Sequence, residues 1–215
     1  MEIMYNEIKN TNNKQTWPSK VKDVICKAGF GNFWISQVDT LNFRKFLRDI
    51  KQRLIDIEYQ CWQSEIFCDQ RSHSSQSNKL RTYRTFKIKY EYEEYLDKVK
   101  NPKQRTLFTK LRISNHKLEI ERRRYQRPYI KPEDRLCQLC GSEKEDEKHF
   151  LLRCAAYDNL RKEFLIQMKR ESHFDGSKLS EHDLFLKLIC PKGEAITKTV
   201  KLVADMLDIR SSMVF

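Results

Sequence analysis

Glycine and proline are scarce, five of each in 215 residues, about half the usual share or less. Few turns and no flexible linker are expected from that. Long apolar runs are missing as well. The longest uncharged stretch, 28–38, has 11 residues and includes Asn32, Ser36 and Gln37, whereas a membrane-spanning helix needs about 20 apolar residues. No basic start followed by an apolar segment marks a secretory signal, so a nuclear or cytoplasmic setting without membrane contact is expected. No Gly-rich phosphate loop, nucleophile elbow or PD…D/E-x-K nuclease pattern occurs, and no Asp-Asp pair suits a two-metal polymerase. The composition gives enzymology nothing to stand on. No internal repeat and no alternating strand pattern rise above noise.

What is present is charge and helical periodicity. With 42 Lys+Arg against 30 Asp+Glu the chain carries a formal +12, and 39% of its residues are apolar, enough for a sizeable core. The expected fold is mainly α: a helical bundle with a small zinc knuckle leading into a helix. Residues 1–16 read as a disordered polar terminus. Residues 17–135 read as a helical region with a basic stretch over 79–135, residues 136–171 as the knuckle and its helix, and 172–215 as C-terminal helices. Phe43, Phe46, Leu47, Ile50, Leu54, Ile57 and Cys61 repeat at spacings of three and four, which predicts a long helix capped by Asp39 or Thr40 and running to about Phe67. GFGNFW at 29–34 reads as a helix stop, 70–79 as a loop and 79–100 as helical. Asn101-Pro102 reads as a helix start, and so does Ser180 with Asp183 three residues on. Ile196, Val200, Val203 and Leu207 form one stripe of a final helix.

Seven cysteines, an odd number, argue for reduced thiols rather than a disulfide framework. Cys26, Cys61, Cys68 and Cys190 are scattered through apolar segments and read as small buried hydrophobes. The other three make a C-x2-C-x8-H-x4-C array: Cys137, Cys140, His149, Cys154. A two-residue gap lets two sulfurs in a tight turn face one point, and Gly141 follows where the backbone must turn without a Cβ. His149 and Cys154 converge if their helix begins in a loose turn. Four soft ligands with no open position describe a closed, structural Zn²⁺ site. The alternatives are three unrelated thiols beside a histidine, or a catalytic zinc, which four protein ligands disfavour. Three thiolates and an imidazole leave the centre at −1, which Arg135, Lys148 and Arg153 could offset. Glu143, Glu145, Asp146 and Glu147 read as partners of a helix dipole.

The positive charge is concentrated before this array. Residues 79–135 hold 18 Lys+Arg and 8 Asp+Glu, +10 of the +12. Basic side chains interleaved with tyrosines suit a phosphate backbone with unpaired bases, and equally a solvated surface. Beside a zinc knuckle the first reading is preferred. Arg112, His116, Lys117, Arg122, Arg123, Arg124 and Arg127 are the candidate phosphate contacts, and Tyr125 and Tyr129 the candidate stacking residues. Tyr83, Tyr90, Tyr92 and Tyr95 read as helix core and rim.

The segment 137–161, with Cys-Gln-Leu-Cys, then EDEKHFLLRC (145–154) and Tyr157-Asp158-Asn159-Leu160-Arg161, resembles the C-x-x-C…EDE-x-HFLL-x-C-x-x-Y-x-x-LR signature found downstream of the polymerase in LINE-type, non-long-terminal-repeat retrotransposon proteins. KQRLID (51–56) with Trp62, LRTYRTFK (80–87) and LRISNHKLEIE (111–121) are similar to weaker motifs of that family, so the likeness spans about residues 17–210. Arg122 departs from it, standing where the family usually has a glycine. The resemblance implies a thumb-side helical region and zinc tail without the polymerase aspartates. It further implies a role in holding RNA or DNA template near a reverse transcriptase core, or an inactive relic of such an element. A zinc-stapled protein-interaction scaffold is the main alternative, and a cryptic nuclease the enzymatic one.

Overall fold

The computed structural model describes residues 16–36, 42–68, 79–172 and 176–214. The expected disordered terminus (but for its last residue), the Asp39 and Thr40 caps and nearly all of the 70–79 loop lie outside them. The fold is mainly α, as expected, with no strand among the described residues and a single antiparallel bridge between Leu136 and Lys144. The chain divides into two units, Met1–Phe67 and Cys68–Phe215.

In the first unit, α1 (Trp17–Lys27) ends in a Schellman turn: Phe30 N–H donates to the Ile25 carbonyl and Gly29 N–H to the Cys26 carbonyl. Gly29 carries the positive φ of 86° that this turn requires. The expected stop is there, but the chain restarts at once as α2 (Gly31–Ser36). The long helix α3 runs Phe43–Phe67, and Asn42 caps it by accepting from Lys45 N–H at 3.1 Å. Phe30 and Phe33 pack on Phe46, with ring centroids 5.6 and 4.0 Å away, and Trp34 and Ile66 are buried. Much of the predicted apolar stripe is uncovered, however: Phe43, Leu47 and Cys61 are exposed. Cys26, Cys61 and Cys68 are exposed and Cys190 is only partly buried, so the reading of these four as buried hydrophobes is corrected. Among the described residues of this unit, α1 and α2 are too short to cover a helix of 25 residues.

The second unit joins what the sequence divided. Short helices α4 (Tyr83–Phe86) and α5 (Tyr95–Lys98) replace the helix expected over 79–100. Between them Lys87 is buried, its ammonium bound to the Glu91 carbonyl at 2.6 Å and to the Glu93 carboxylate, which closes a loop where a helix would have continued. Tyr95 is core and bonds Thr109, while Tyr90 and Tyr92 are exposed. Helix α6 (Pro102–Arg112) begins as its sequence predicts, with the Asn101 side chain accepting from Lys103 and Gln104 N–H. Ser114, at φ 53°, turns the chain into α7 (Glu119–Arg122). Helix α8 (Asp158–Ser172) follows the cysteine array. Then come α9 (Glu181–Ile189), capped by Ser180, which accepts from Asp183 N–H, and α10 (Ala195–Met213).

One core runs through all of this. Phe108 and Leu111 of α6 meet Phe150, Leu151 and Tyr157 of the array and Ile196, Val200, Val203 and Met206 of α10. The divisions expected at 135/136 and 171/172 are therefore not seams of packing. A segment as short as the array holds too little apolar surface for a core of its own, and it lends its large side chains to its neighbours.

Candidate metal centre and its basic flank

Two turns build the array. Cys137 to Gly141 form a knuckle closed by Gly141 N–H to the Cys137 carbonyl (2.8 Å), with Gly141 at φ 67°. Cys137 N–H in turn donates to the Glu143 carbonyl (2.8 Å). The second turn is a π-turn, His149–Arg153, whose i→i+5 bond from Cys154 N–H to the His149 carbonyl (2.9 Å) brings residues five apart together. This is the loose turn that the spacing demanded. The chain then passes through a 3-10 turn, Ala155–Tyr157, before α8 begins, so the last two ligands precede that helix instead of riding on it.

The four ligand atoms lie within 4.8 Å of one another and could hold a metal ion. Cys137 Sγ is 3.8 Å from Cys154 Sγ, and Cys140 Sγ is 3.3 Å from His149 Nε2. In a tetrahedral site with metal–sulfur bonds of about 2.3 Å the sulfurs stand about 3.8 Å apart, the separation of the Cys137–Cys154 pair. Cys137, His149 and Cys154 are buried and Cys140 is partly so. Burial pushes the Cys137 thiol up to about 12 and raises Cys154 too. For Cys140 burial also acts upward, but the Ser142 hydroxyl and backbone N–H prevail and bring it to about 6. A metal must displace the protons of the buried pair, so affinity falls as pH falls.

The acidic residues between the ligands do more than face a helix dipole, and each has its own task. Glu143 Oε2 lies 3.4 Å from His149 Nδ1, turning Nε2 toward the sulfurs, and is itself held by Arg153 at 3.2 Å. Asp146 caps the ligand turn by accepting from His149 N–H at 2.8 Å. Glu145 and Glu147 point the other way, into the core. Glu145, 1% exposed, accepts from Arg210 Nε–H (2.6 Å) and Nη2–H (2.7 Å) and from Glu119 N–H (2.7 Å). Glu147 accepts from Arg81 (3.1 Å), Thr82 (3.0 Å), Ser114 (2.8 Å) and His116 (2.9 Å). Burial alone would raise the Glu147 carboxyl, but the His116 hydrogen bond and the Arg81 charge hold it at about 2. Arg81 and Arg210 stand 66 and 65 residues from their partners, so no local spacing announced them. None of the three cations expected to offset the centre touches a ligand. Arg135 serves the Ile120 and Ile130 carbonyls, Lys148 pairs with Glu181, and Arg153 with Glu143 and Glu181.

The same network revises the list of phosphate contacts. Arg112 is 2% exposed; it pairs with Glu93 at 2.6 Å and lies over the Phe86 and Tyr95 rings. His116 has its ring buried against Glu147, with Nδ1 accepting from Leu118 N–H. Arg124 is buried against Glu121. These three are structural, because their polar groups are already taken up by the Glu93, Glu147 and Glu121 carboxylates. Arg122 and Arg123 share Glu119 but keep part of their surface. Arg122 ends α7 in ordinary helical backbone, so no glycine is needed there. Lys117, Tyr125, Arg127 and Tyr129 are exposed.

No protein-family model, curated protein or solved structure matches the chain. Among the described residues no helix is long and apolar enough to cross a membrane.

Proposed function

We propose that this chain is a zinc-stapled, non-catalytic nucleic-acid-binding region that holds RNA or DNA. In this reading it is the counterpart of the segment that follows the polymerase in LINE-type retrotransposon proteins, and a reverse transcriptase core is its natural protein partner. The metal is Zn²⁺, because three thiolates and one imidazole in a closed tetrahedral span are its preferred structural set. The zinc fixes the fold and does no chemistry.

The observation that carries the binding role is the segment Arg122–Lys131. It holds five cations and no acidic residue. Tyr125, Arg127, Tyr129 and Lys131 face solvent, while Glu119 and Glu121 grip its start and Arg135 grips its end through the Ile130 carbonyl. An exposed, acid-free strap anchored to the metal loop is a surface for phosphates.

The test is a salt series of zinc-loaded protein with labelled RNA and DNA. Binding that weakens steeply with salt, and a slope that drops by about one when Arg127 becomes glutamine, is expected. No binding at low salt refutes the reading. One zinc per chain is expected, lost in Cys140→Ser together with protection over residues 135–165; metal-free folded protein refutes the centre. A protein-docking scaffold is the second reading, favoured by the exposed Phe43, Leu47 and Ile55 of α3. It gains if a polymerase core binds while nucleic acid does not.

A further inference from the structure

Within the strap, two tyrosines are built alike. Tyr125 is 69% and Tyr129 52% exposed. Behind Tyr125 lies the Arg124 guanidinium, its Cζ 5.9 Å from the ring centroid, and behind Tyr129 lies that of Arg135 at 5.8 Å. Both guanidinium groups belong to buried residues held in place: Arg124 by Glu121 at 3.2 Å, Arg135 by the Ile120 carbonyl at 2.6 Å and the Ile130 carbonyl at 2.9 Å. An exposed tyrosine on a loose loop is ordinary. Two rings on one acid-free strap, each backed by an immobilised cation, are presented at fixed places with area left for a partner. The cation–π attraction helps hold each ring in its place.

Resting on the proposed function, we infer that the ligand of this strap is single-stranded nucleic acid, with unpaired bases stacked on Tyr125 and Tyr129. Stacking needs a base with an open face. In a duplex the bases face each other and only the groove edges and phosphates are available, so two ring platforms gain nothing from it. Between the platforms Arg127 is exposed, with no ion pair among the described residues, and so is Lys131 after it. These place charge beside the rings where a strand's phosphates run. A site that takes single strands by stacking and charge has little dependence on sequence.

The deciding experiment uses the zinc-loaded full chain and fluorescence anisotropy across a salt series that starts low, with all probes compared at each salt. The probes are a single-stranded RNA, a single-stranded DNA, the duplex of the same sequence and an abasic single strand of equal phosphate count. Both single strands are expected to bind at least about tenfold tighter than the duplex and the abasic strand. Tyr125→Leu and Tyr129→Leu should each weaken single-strand binding by about 5- to 150-fold, with zinc content, melting temperature and salt slope unchanged. Loss of binding in Arg127→Gln with a reduced slope marks the charge contribution separately. Equal binding of duplex and single strand, or tyrosine variants that bind as wild type, overturns the stacking inference while leaving nucleic-acid binding intact. Failure of all four probes at low salt overturns the proposed function itself. A preference between the RNA and DNA single strands tells which of the two the strap holds, and either supports the inference.

Discussion

Replacing Glu145 by glutamine tests whether the acidic loop of the metal centre is held by the core. The carboxylate is buried, accepts two N–H bonds from Arg210 and one from Glu119 N–H, and Arg210 is itself only 4% exposed. Glutamine keeps the shape but removes the charge and one acceptor. It leaves Arg210 with the single carboxylate of Glu119 at 3.2 Å, already shared with Arg122 and Arg123. Stripping one partner from a buried pair costs about 3–5 kcal/mol. For a unit of this length each kcal/mol moves Tm by about 2–4 °C, so a loss of roughly 6–20 °C is expected. By contrast Asp208→Asn removes the exposed partner of Lys103 (2.9 Å) and should cost at most about 0.5 kcal/mol. The double variant Glu145→Leu/Arg210→Met removes both charges together. It strands mainly the Glu119 N–H, a penalty of about 1–3 kcal/mol, so it should be more stable than Glu145→Gln. Urea and thermal melts at saturating zinc, with metal content measured on each variant, read all three. A single-variant cost below about 1 kcal/mol, or a double variant weaker than the single, refutes the argument that a buried, uncompensated guanidinium dominates.

Three further outcomes are expected. Gly141→Ala should cost about 1–2 kcal/mol from backbone strain alone, because φ is 67° and nothing lies within 4 Å of an added Cβ; an unchanged melt would show that the knuckle relaxes. Arg112→Met should destabilise by about 1.5–3 kcal/mol, because Glu93 loses one charged hydrogen-bond partner and keeps only Lys87, yet leave nucleic-acid affinity unchanged in the folded protein, whereas a loss of affinity at constant fold would return Arg112 to the binding surface. Burial alone would raise the Glu93 carboxyl, but Arg112 and Lys87 hold it below its ordinary 4.5. A depressed acid stabilises above its unfolded pKa and stops doing so as pH falls through its folded one. The Tm gap between wild type and Glu93→Gln should therefore be constant above pH 4.5 and close below it; a gap that persists in acid contradicts this.

The local parts of this molecule were legible in its sequence. The cluster of four candidate ligands within 18 residues, the Asn101 and Ser180 caps and the stripe of α10 all depend on residues close in the chain, where spacing and geometry are nearly the same thing. The basic stretch was not legible in the same way. Counting charge between 79 and 135 gives a surplus, but it cannot tell Arg112, whose partner Glu93 reaches it only after α5 and α6 fold together, from Arg127, which is exposed. The apolar stripe of α3 foretold the helix Phe43–Phe67, but periodicity shows which face is oily and not whether anything covers it.

The EDEKH run shows where the two regimes meet. Four of its five side chains alternate between tasks: Glu145 and Glu147 reach into the core toward Arg210 and Arg81, Asp146 caps the ligand turn, and His149 faces the sulfurs. Alternation over so short a stretch means that the metal loop cannot move without pulling on α10, which carries Arg210. The centre and the core are thus two ends of one set of bonds. A cation count could not reveal this, yet it explains why the residues between the ligands are acidic. Carboxylates are the side chains that can be buried here, because α10 supplies Arg210 and the turn before α4 supplies Arg81.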